Sequence, residues 1–190
     1  MKKLFIMMLL CAMSVCATAQ EHMSFKGIPM DCDLITFVSK LEAKGFTNQR
    51  NTSETSAWVK GNFAGIDDCE ILILSTSTSK LVWKVVVYFP ERISWYSLKR
   101  EYNNFKDSYT EKYGKPNSYE YFSQPYYEGD GYELQALKLE KCTYESFFKT
   151  TLGYICLSIY KTNQVKVSYE DAVNVILKSS EKEKKVSNDI

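Results

Sequence analysis

The sequence predicts an α+β fold in which two units, each a helix followed by an antiparallel meander, pack their helices on one face of the sheet. Two segments have apolar residues at helical spacing, and several short strand-like runs follow each of them. Turn-rich segments separate these runs, which favours hairpins and therefore antiparallel strands. The 14 Tyr, 10 Phe and 3 Trp agree with this, because aromatic residues are preferred in strands.

The first nineteen residues are typical of a secretory signal peptide. Lys2 and Lys3 precede an apolar run over residues 4–10, and small residues occupy positions 17–19 before Gln20. The run is shorter than the roughly 20 residues that span a bilayer. We therefore expect a mature chain that begins near Gln20, is periplasmic or extracellular, and has no membrane insertion after cleavage.

Loss of this leader removes two lysines and changes the formal net charge from +1 to −1. A nearly neutral chain has no electrostatic reason to bind nucleic acid or an anionic membrane. Neither is therefore expected as a partner.

The first unit, residues 20–90, begins with an extended segment and a helix. Pro29 disfavours an earlier helix, Asp31 or Asp33 can cap the helix, and Gly45 stops it. The residues at helical spacing are Leu34, Phe37, Val38 and Leu41. Three strands are predicted after them, over residues 57–63, 70–75 and 81–89.

The second unit, residues 91–179, has the strongest periodic signal of the chain. A helix is predicted from Ser94 up to Gly114 and Pro116, which end it. Its apolar residues recur at steps of three and four: Trp95, Leu98, Tyr102, Phe105, Tyr109 and Tyr113. Strands are predicted over residues 118–123, 131–141, 143–150, 153–161 and 164–169, then a short helix over 171–179 and a flexible tail over 180–190.

Alternation along the strands predicts which side chains face the helices. The inward set is Val59, Phe63, Trp83, Val85, Val87, Phe89, Ile155, Leu157 and Ile159. The open face then has Trp58, Tyr88, Tyr154 and Tyr160 among polar neighbours. Trp and Tyr are enriched where proteins bind each other, which makes these four residues the predicted binding site. The alternative is that the aromatic side chains only form cross-strand pairs that stabilise the sheet.

Four cysteines remain after the leader, and three pairings into two disulfides are possible in an oxidising compartment. In the predicted hairpin of residues 143–161, Cys156 faces Phe147, and Cys142 lies roughly 17 Å further along. A bridge needs Cα atoms within about 7 Å, so Cys142 and Cys156 are not expected to pair. Cys32–Cys69 is the preferred disulfide, and free buried thiols are the alternative.

The sequence lacks the residues that several kinds of catalytic or ligand-binding site require. His22 is the only histidine and lies beside the predicted cleavage site, where it is a poor base for a nucleophile and a poor zinc ligand. No Cys-x-x-Cys pair and no glycine-rich phosphate loop occurs. The acidic turns at residues 67–70 and 128–130 lack the spacing of a calcium loop. No cofactor, metal or enzymatic activity is therefore expected.

The repeated order of helix and meander resembles the fold of the secreted β-lactamase inhibitor protein. In that fold two such units present a concave, aromatic-rich sheet surface, and small outer-membrane-assembly lipoproteins have a single unit. The segments at residues 25–31, 61–65 and 112–116 also resemble a group of uncharacterised secreted proteins of Gram-negative bacteria. This resemblance implies an envelope or extracellular address. No inhibitor motif transfers to a numbered position.

The sequence thus predicts a periplasmic or secreted binding protein, without enzymatic activity, that contacts a protein or peptide through its open sheet face. The alternative is an envelope enzyme that acts on glycans, since its two carboxylates need only lie about 5 to 9 Å apart in space. A structural component of the envelope is the third possibility.

Overall fold

The computed structural model describes residues 21–49 and 53–189, so the predicted leader lies outside the described residues. The strands are β1 Ser24–Phe25, β2 Ile28–Pro29, β3 Thr47–Asn48, β4 Ser56–Phe63, β5 Ile66–Ser75, β6 Val82–Tyr88, β7 Asn117–Phe122, β8 Cys142–Lys149, β9 Gly153–Tyr160 and β10 Gln164–Asp171. The helices are α1 Leu34–Glu42, α2 Trp95–Tyr113, α3 Glu133–Lys138 and α4 Ala172–Asp189.

The predicted α+β class is confirmed, with helices packed against an antiparallel sheet. β1 and β2 form a small hairpin, and the other eight strands form one sheet in the order β3-β4-β5-β6-β10-β9-β8-β7. The sequence predicts a sheet for each unit, whereas the structure joins both meanders through β6 and β10. This pairing satisfies backbone groups that would otherwise be exposed at two sheet edges.

α1 and α2 cover one face of this sheet. The side chain of Asp33 caps α1 by accepting from the backbone N of Thr36 at 3.0 Å, and Ser94 caps α2 in the same way. The residues predicted to face the helices are buried there, with the exception of Trp83. A register shift between Leu74 and Ser75 interrupts the alternation beside Trp83, whose half-buried ring lies under the Nζ of Lys178 at 3.6 Å.

The predicted strand over residues 131–141 is wrong, because this segment forms α3. The Asp130 carboxylate accepts from the backbone N of Tyr127 at 3.1 Å and of Tyr132 at 2.7 Å, which closes a turn just before the helix. Ala136 and Leu137 then bury one side of α3.

The segment from Ser180, which the sequence predicts to be a flexible tail, is instead helical, because α4 continues to Asp189. The Glu181 carboxylate accepts from the backbone N of Thr78 at 2.7 Å and of Ser79 at 3.0 Å, and from the hydroxyls of Ser77 and Ser79. These bonds hold the middle of α4 against the loop between β5 and β6. Among the described helices, none is long and apolar enough to cross a membrane.

Candidate binding surface

The candidate site lies on the face of the sheet that α1 and α2 leave uncovered. The register places Trp58 of β4 opposite Leu72 of β5, and Leu72 opposite Val86 of β6. These three side chains form what we call the apolar row. Trp58 and Leu72 are half-buried, and Val86 is 5% exposed. Apolar side chains thus occupy both faces of the sheet here, although only one face carries the core.

Three of the four predicted site residues lie together, and one of them, Trp58, also belongs to the apolar row. The ring centroids of Trp58 and Tyr88 are 5.8 Å apart, and those of Tyr88 and Tyr160 are also 5.8 Å apart. We call these three residues the aromatic ladder. Burial raises the pKa of the Tyr88 hydroxyl, and the neighbouring Tyr160 adds to this effect. The rings of the ladder are therefore partly shielded from water and pack against each other.

The structure does not bring the fourth predicted residue, Tyr154, to the ladder. Tyr154 and Tyr160 lie on the same face of β9, but six residues of strand separate them, which is about 20 Å. Tyr154 is 50% exposed, and its strand partners are Glu170 and Lys149. It therefore belongs to a charged end of the face.

Leu72 and Val86 are functional candidates that sequence reasoning missed. They lie in uninterrupted apolar runs, residues 71–74 and 85–87, in which no polar residue marks the outward face. Such runs are typical of strands that are apolar on both sides. The same run also places Leu74 on the uncovered face, opposite Lys84. A second aromatic pair, Tyr119 and Phe147, packs at 6.1 Å on the outer strands β7 and β8.

Lys166 is the cation nearest the aromatic ladder. Its Nζ lies 4.6 Å from the centre of the Tyr160 ring, and its strand partners are Tyr88 and Ser158. Burial is the main cause that lowers the pKa of the Lys166 ammonium, and the positive charge of Lys84 adds to it, whereas Cys156 and Glu145 oppose it without reversing it. The ladder thus borders a cation that is partly withdrawn from water.

The structure does not contain the predicted Cys32–Cys69 disulfide, because all four cysteines in the described part of the chain are free. The Cys32 carbonyl accepts from the backbone N of Val82, and Val82 pairs with Ser75 at one end of β5. Cys69 lies six residues further along β5, about 20 Å away, beyond the reach of a disulfide. The predicted register of the second hairpin is confirmed, since Phe147 pairs with Cys156.

The described residues contain no group of three or more His, Cys, Asp or Glu side chains that could hold a metal ion. The best-formed surface cavities in this part of the chain have volumes of roughly 320 to 530 Å³, and at most one carboxylate lines each of them. The glycan-hydrolysing alternative therefore gains no support from these cavities.

No protein family, no curated protein and no solved structure matches the chain. The resemblance to the β-lactamase inhibitor fold and to secreted Gram-negative proteins stays a prediction.

Proposed function

We propose that this chain is a periplasmic or secreted binding protein, without enzymatic activity, that holds a protein or peptide against its uncovered sheet face. The observation that carries the proposal is the apolar row beside the aromatic ladder. On an antiparallel sheet with one packed face, the other face is ordinarily polar where it meets water. Large apolar side chains there gain free energy when a partner covers them.

The extent of this surface favours a polypeptide over a small molecule. Trp58 and Tyr160 lie on β4 and β9, which four strand spacings separate in the sheet order. At about 4.8 Å per spacing, the two strands lie roughly 19 Å apart. The rings lean toward each other across this gap, because two centroid distances of 5.8 Å place the end rings at most about 12 Å apart. A protein partner or an extended peptide covers the ladder together with the apolar row, and Trp and Tyr side chains are those that dominate the free energy of protein interfaces.

The test places a photo-crosslinking amino acid at position 88, on the ladder, and separately at position 96. Tyr96 is 72% exposed on α2, on the opposite side of the sheet, and is the matched control. In the organism of origin, we expect one discrete crosslinked adduct from position 88 and none from position 96.

Trp58→Ala, combined with the crosslinker at position 88, is expected to reduce the adduct at least about fivefold, since it removes a large part of the contact area. Its thermal unfolding is expected to stay close to that of the unsubstituted protein, because Trp58 is outside the buried core. Equal adducts from both positions, or an adduct indifferent to Trp58→Ala, contradict the proposal.

The proposal includes export. It requires the leader, residues 1–19, to be removed, and the intact mass of protein purified from the envelope or the medium measures this. A protein that begins at Met1 and fractionates with the cytosol contradicts this part of the proposal.

A further inference from the structure

We propose that Lys166 and Ser158 form a carboxylate-binding subsite beside the aromatic ladder, and that this subsite takes an Asp or Glu side chain of the protein partner. The inference rests on the proposed function and names the chemistry that the partner presents.

The first observation is that Lys166 has no carboxylate partner among the residues that the structure describes. Two other lysines of the same face are both in ion pairs, Lys60 with Asp68 at 2.9 Å and Lys84 with Glu170 at 2.6 Å. Lys166 contacts the face of an aromatic ring instead. Glu145 acts on this ammonium only at longer range and forms no ion pair with it. A half-buried ammonium without an ion pair at contact distance is unfavourable, and an arriving anion relieves that cost.

The second observation is the hydroxyl of Ser158. Ser158 is 2% exposed, and its Oγ has no hydrogen-bond partner. It lies directly opposite Lys166 in the register of β9 and β10, on the same face of the sheet. Buried polar groups without a partner are rare in folded proteins. A donating hydroxyl and the ammonium of the residue opposite it are the two kinds of donor that one carboxylate needs for its two oxygens.

The charges around the subsite favour a singly charged ligand over a phosphate. Glu145 is the strand partner of Ser158 on its other side, and Glu170 lies on β10 with Lys166. These carboxylates repel a dianion more strongly than a monoanion. Phosphate sites also commonly use arginines or backbone N–H groups, whereas the cation of this subsite is one lysine, since Lys60 and Lys84 of the same face are already in ion pairs.

The position of the subsite favours an acidic side chain over the terminal carboxylate of a peptide. Protein sites that capture a chain terminus use clusters of unpaired backbone N–H groups. Lys166 and Ser158 are on β10 and β9, inside the sheet, where the backbone pairs with a strand on each side. Only side chains are therefore available as hydrogen-bond donors to a ligand. This arrangement suits the carboxylate of an acidic side chain that projects from the partner onto the sheet.

The test uses random 12-residue peptides displayed with their C-termini fused to a carrier, so that the peptides have no free terminal carboxylate. Peptides selected on the unsubstituted protein, and lost on Trp58→Ala, are expected to share an Asp or Glu at one position among apolar residues. They are then synthesised as C-terminal amides. Changing that Glu to Gln, or that Asp to Asn, is expected to weaken binding about tenfold.

The double-mutant comparison isolates Lys166. On Lys166→Gln, the same peptide change is expected to alter affinity less than about twofold, whereas Lys166→Arg keeps most of the tenfold difference. The matched control is Lys60→Gln, on the same face and already paired with Asp68, which is expected to keep the full difference. Thermal unfolding of each variant verifies that the fold is intact.

Two results overturn the subsite: selected peptides that share no acidic position, or an acidic preference that is unchanged in Lys166→Gln. Peptides that bind equally well to Trp58→Ala contradict the proposed function instead, so the two failures are distinguishable.

Discussion

At the scale of single residues, burial decides the chemistry of the cysteines. Burial raises the pKa of the Cys69 thiol to about 11 and that of Cys142 to about 12. Since the thiolate is the reactive form, both thiols are expected to react slowly while they stay buried. Cys32 is only half-buried, although desolvation raises its pKa as well.

We predict that iodoacetamide at pH 8 modifies Cys32 in the folded protein, whereas Cys69 and Cys142 react only after unfolding. Mass spectrometry of the alkylated peptides measures this, and the same reaction in 6 M guanidinium is the control, with all of them expected to react. A peptide pair that contains Cys32 linked to Cys69, recovered without reductant, contradicts both this prediction and the free thiols of the structure.

The alternation of side chains along a strand predicts which residues face outward for some positions and gives no assignment for others. Trp58 and Tyr88 can be assigned because inward apolar residues lie on both sides of each in the sequence. Tyr160 can be assigned because the inward residues Ile155, Leu157 and Ile159 set the alternation of its strand. Leu72 cannot be assigned, because its neighbours Ile71 and Ile73 are apolar as well. Alternation places Val86 outward, between the inward residues Val85 and Val87, but a run of three valines does not indicate that one of them belongs to a surface site. The pairing of the strands, which the sequence pattern does not state, places these residues in one row.

At the scale of secondary-structure elements, α4 depends on contacts that are remote in sequence. Glu181 bonds to residues 77–79, which are more than one hundred positions away. No local pattern of polar residues can reveal such a contact, so the charged segment by itself predicts a flexible tail. The alternation in residues 131–141 likewise predicts a strand and not α3, because it does not contain the hydrogen bonds by which Asp130 closes the turn before the helix.

The Glu181 contact predicts a pH dependence. Desolvation alone would raise the pKa of this carboxyl, but the hydrogen bonds from Ser79, Thr78 and Ser77 outweigh it and lower the pKa to about 2. A lowered folded-state pKa means that the stabilisation is present above the unfolded value, near 4.3, and is lost as pH falls toward 2. We expect Glu181→Gln to lower the melting temperature at pH 6, and to have a much smaller effect at pH 2.

The matched control for this prediction is Glu183→Gln, which removes an exposed carboxylate of the same helix. It is expected to change the melting temperature little at either pH. If Glu181→Gln and Glu183→Gln behave alike at pH 6, the loop between β5 and β6 does not anchor α4. Circular dichroism during thermal unfolding provides both measurements.

At the scale of the whole molecule, the two meanders share one sheet and one core. Local patterns predicted each meander, since hairpins connect residues that are close in sequence. The pairing of β6 with β10 joins residues about eighty positions apart, such as Val87 and Val167, and no local pattern contains it. Both of these valines are fully buried under the helices. The site depends on this join, because it places Tyr88 of one meander beside Tyr160 and Lys166 of the other.

A shared sheet predicts that both halves unfold together. In pulsed hydrogen–deuterium exchange across a urea series, peptides from β5 and from β9 are expected to lose protection at the same midpoint. Val167→Ala removes two buried methyl groups at the join and is expected to destabilise the protein by about 2 kcal/mol, lowering both midpoints equally. Two independent units would instead give separate midpoints, with the effect of Val167→Ala confined to the β9 peptide. Coincident midpoints would mean that a partner bound across β4 to β9 stabilises the entire chain, because no half of the site can persist while the other is unfolded.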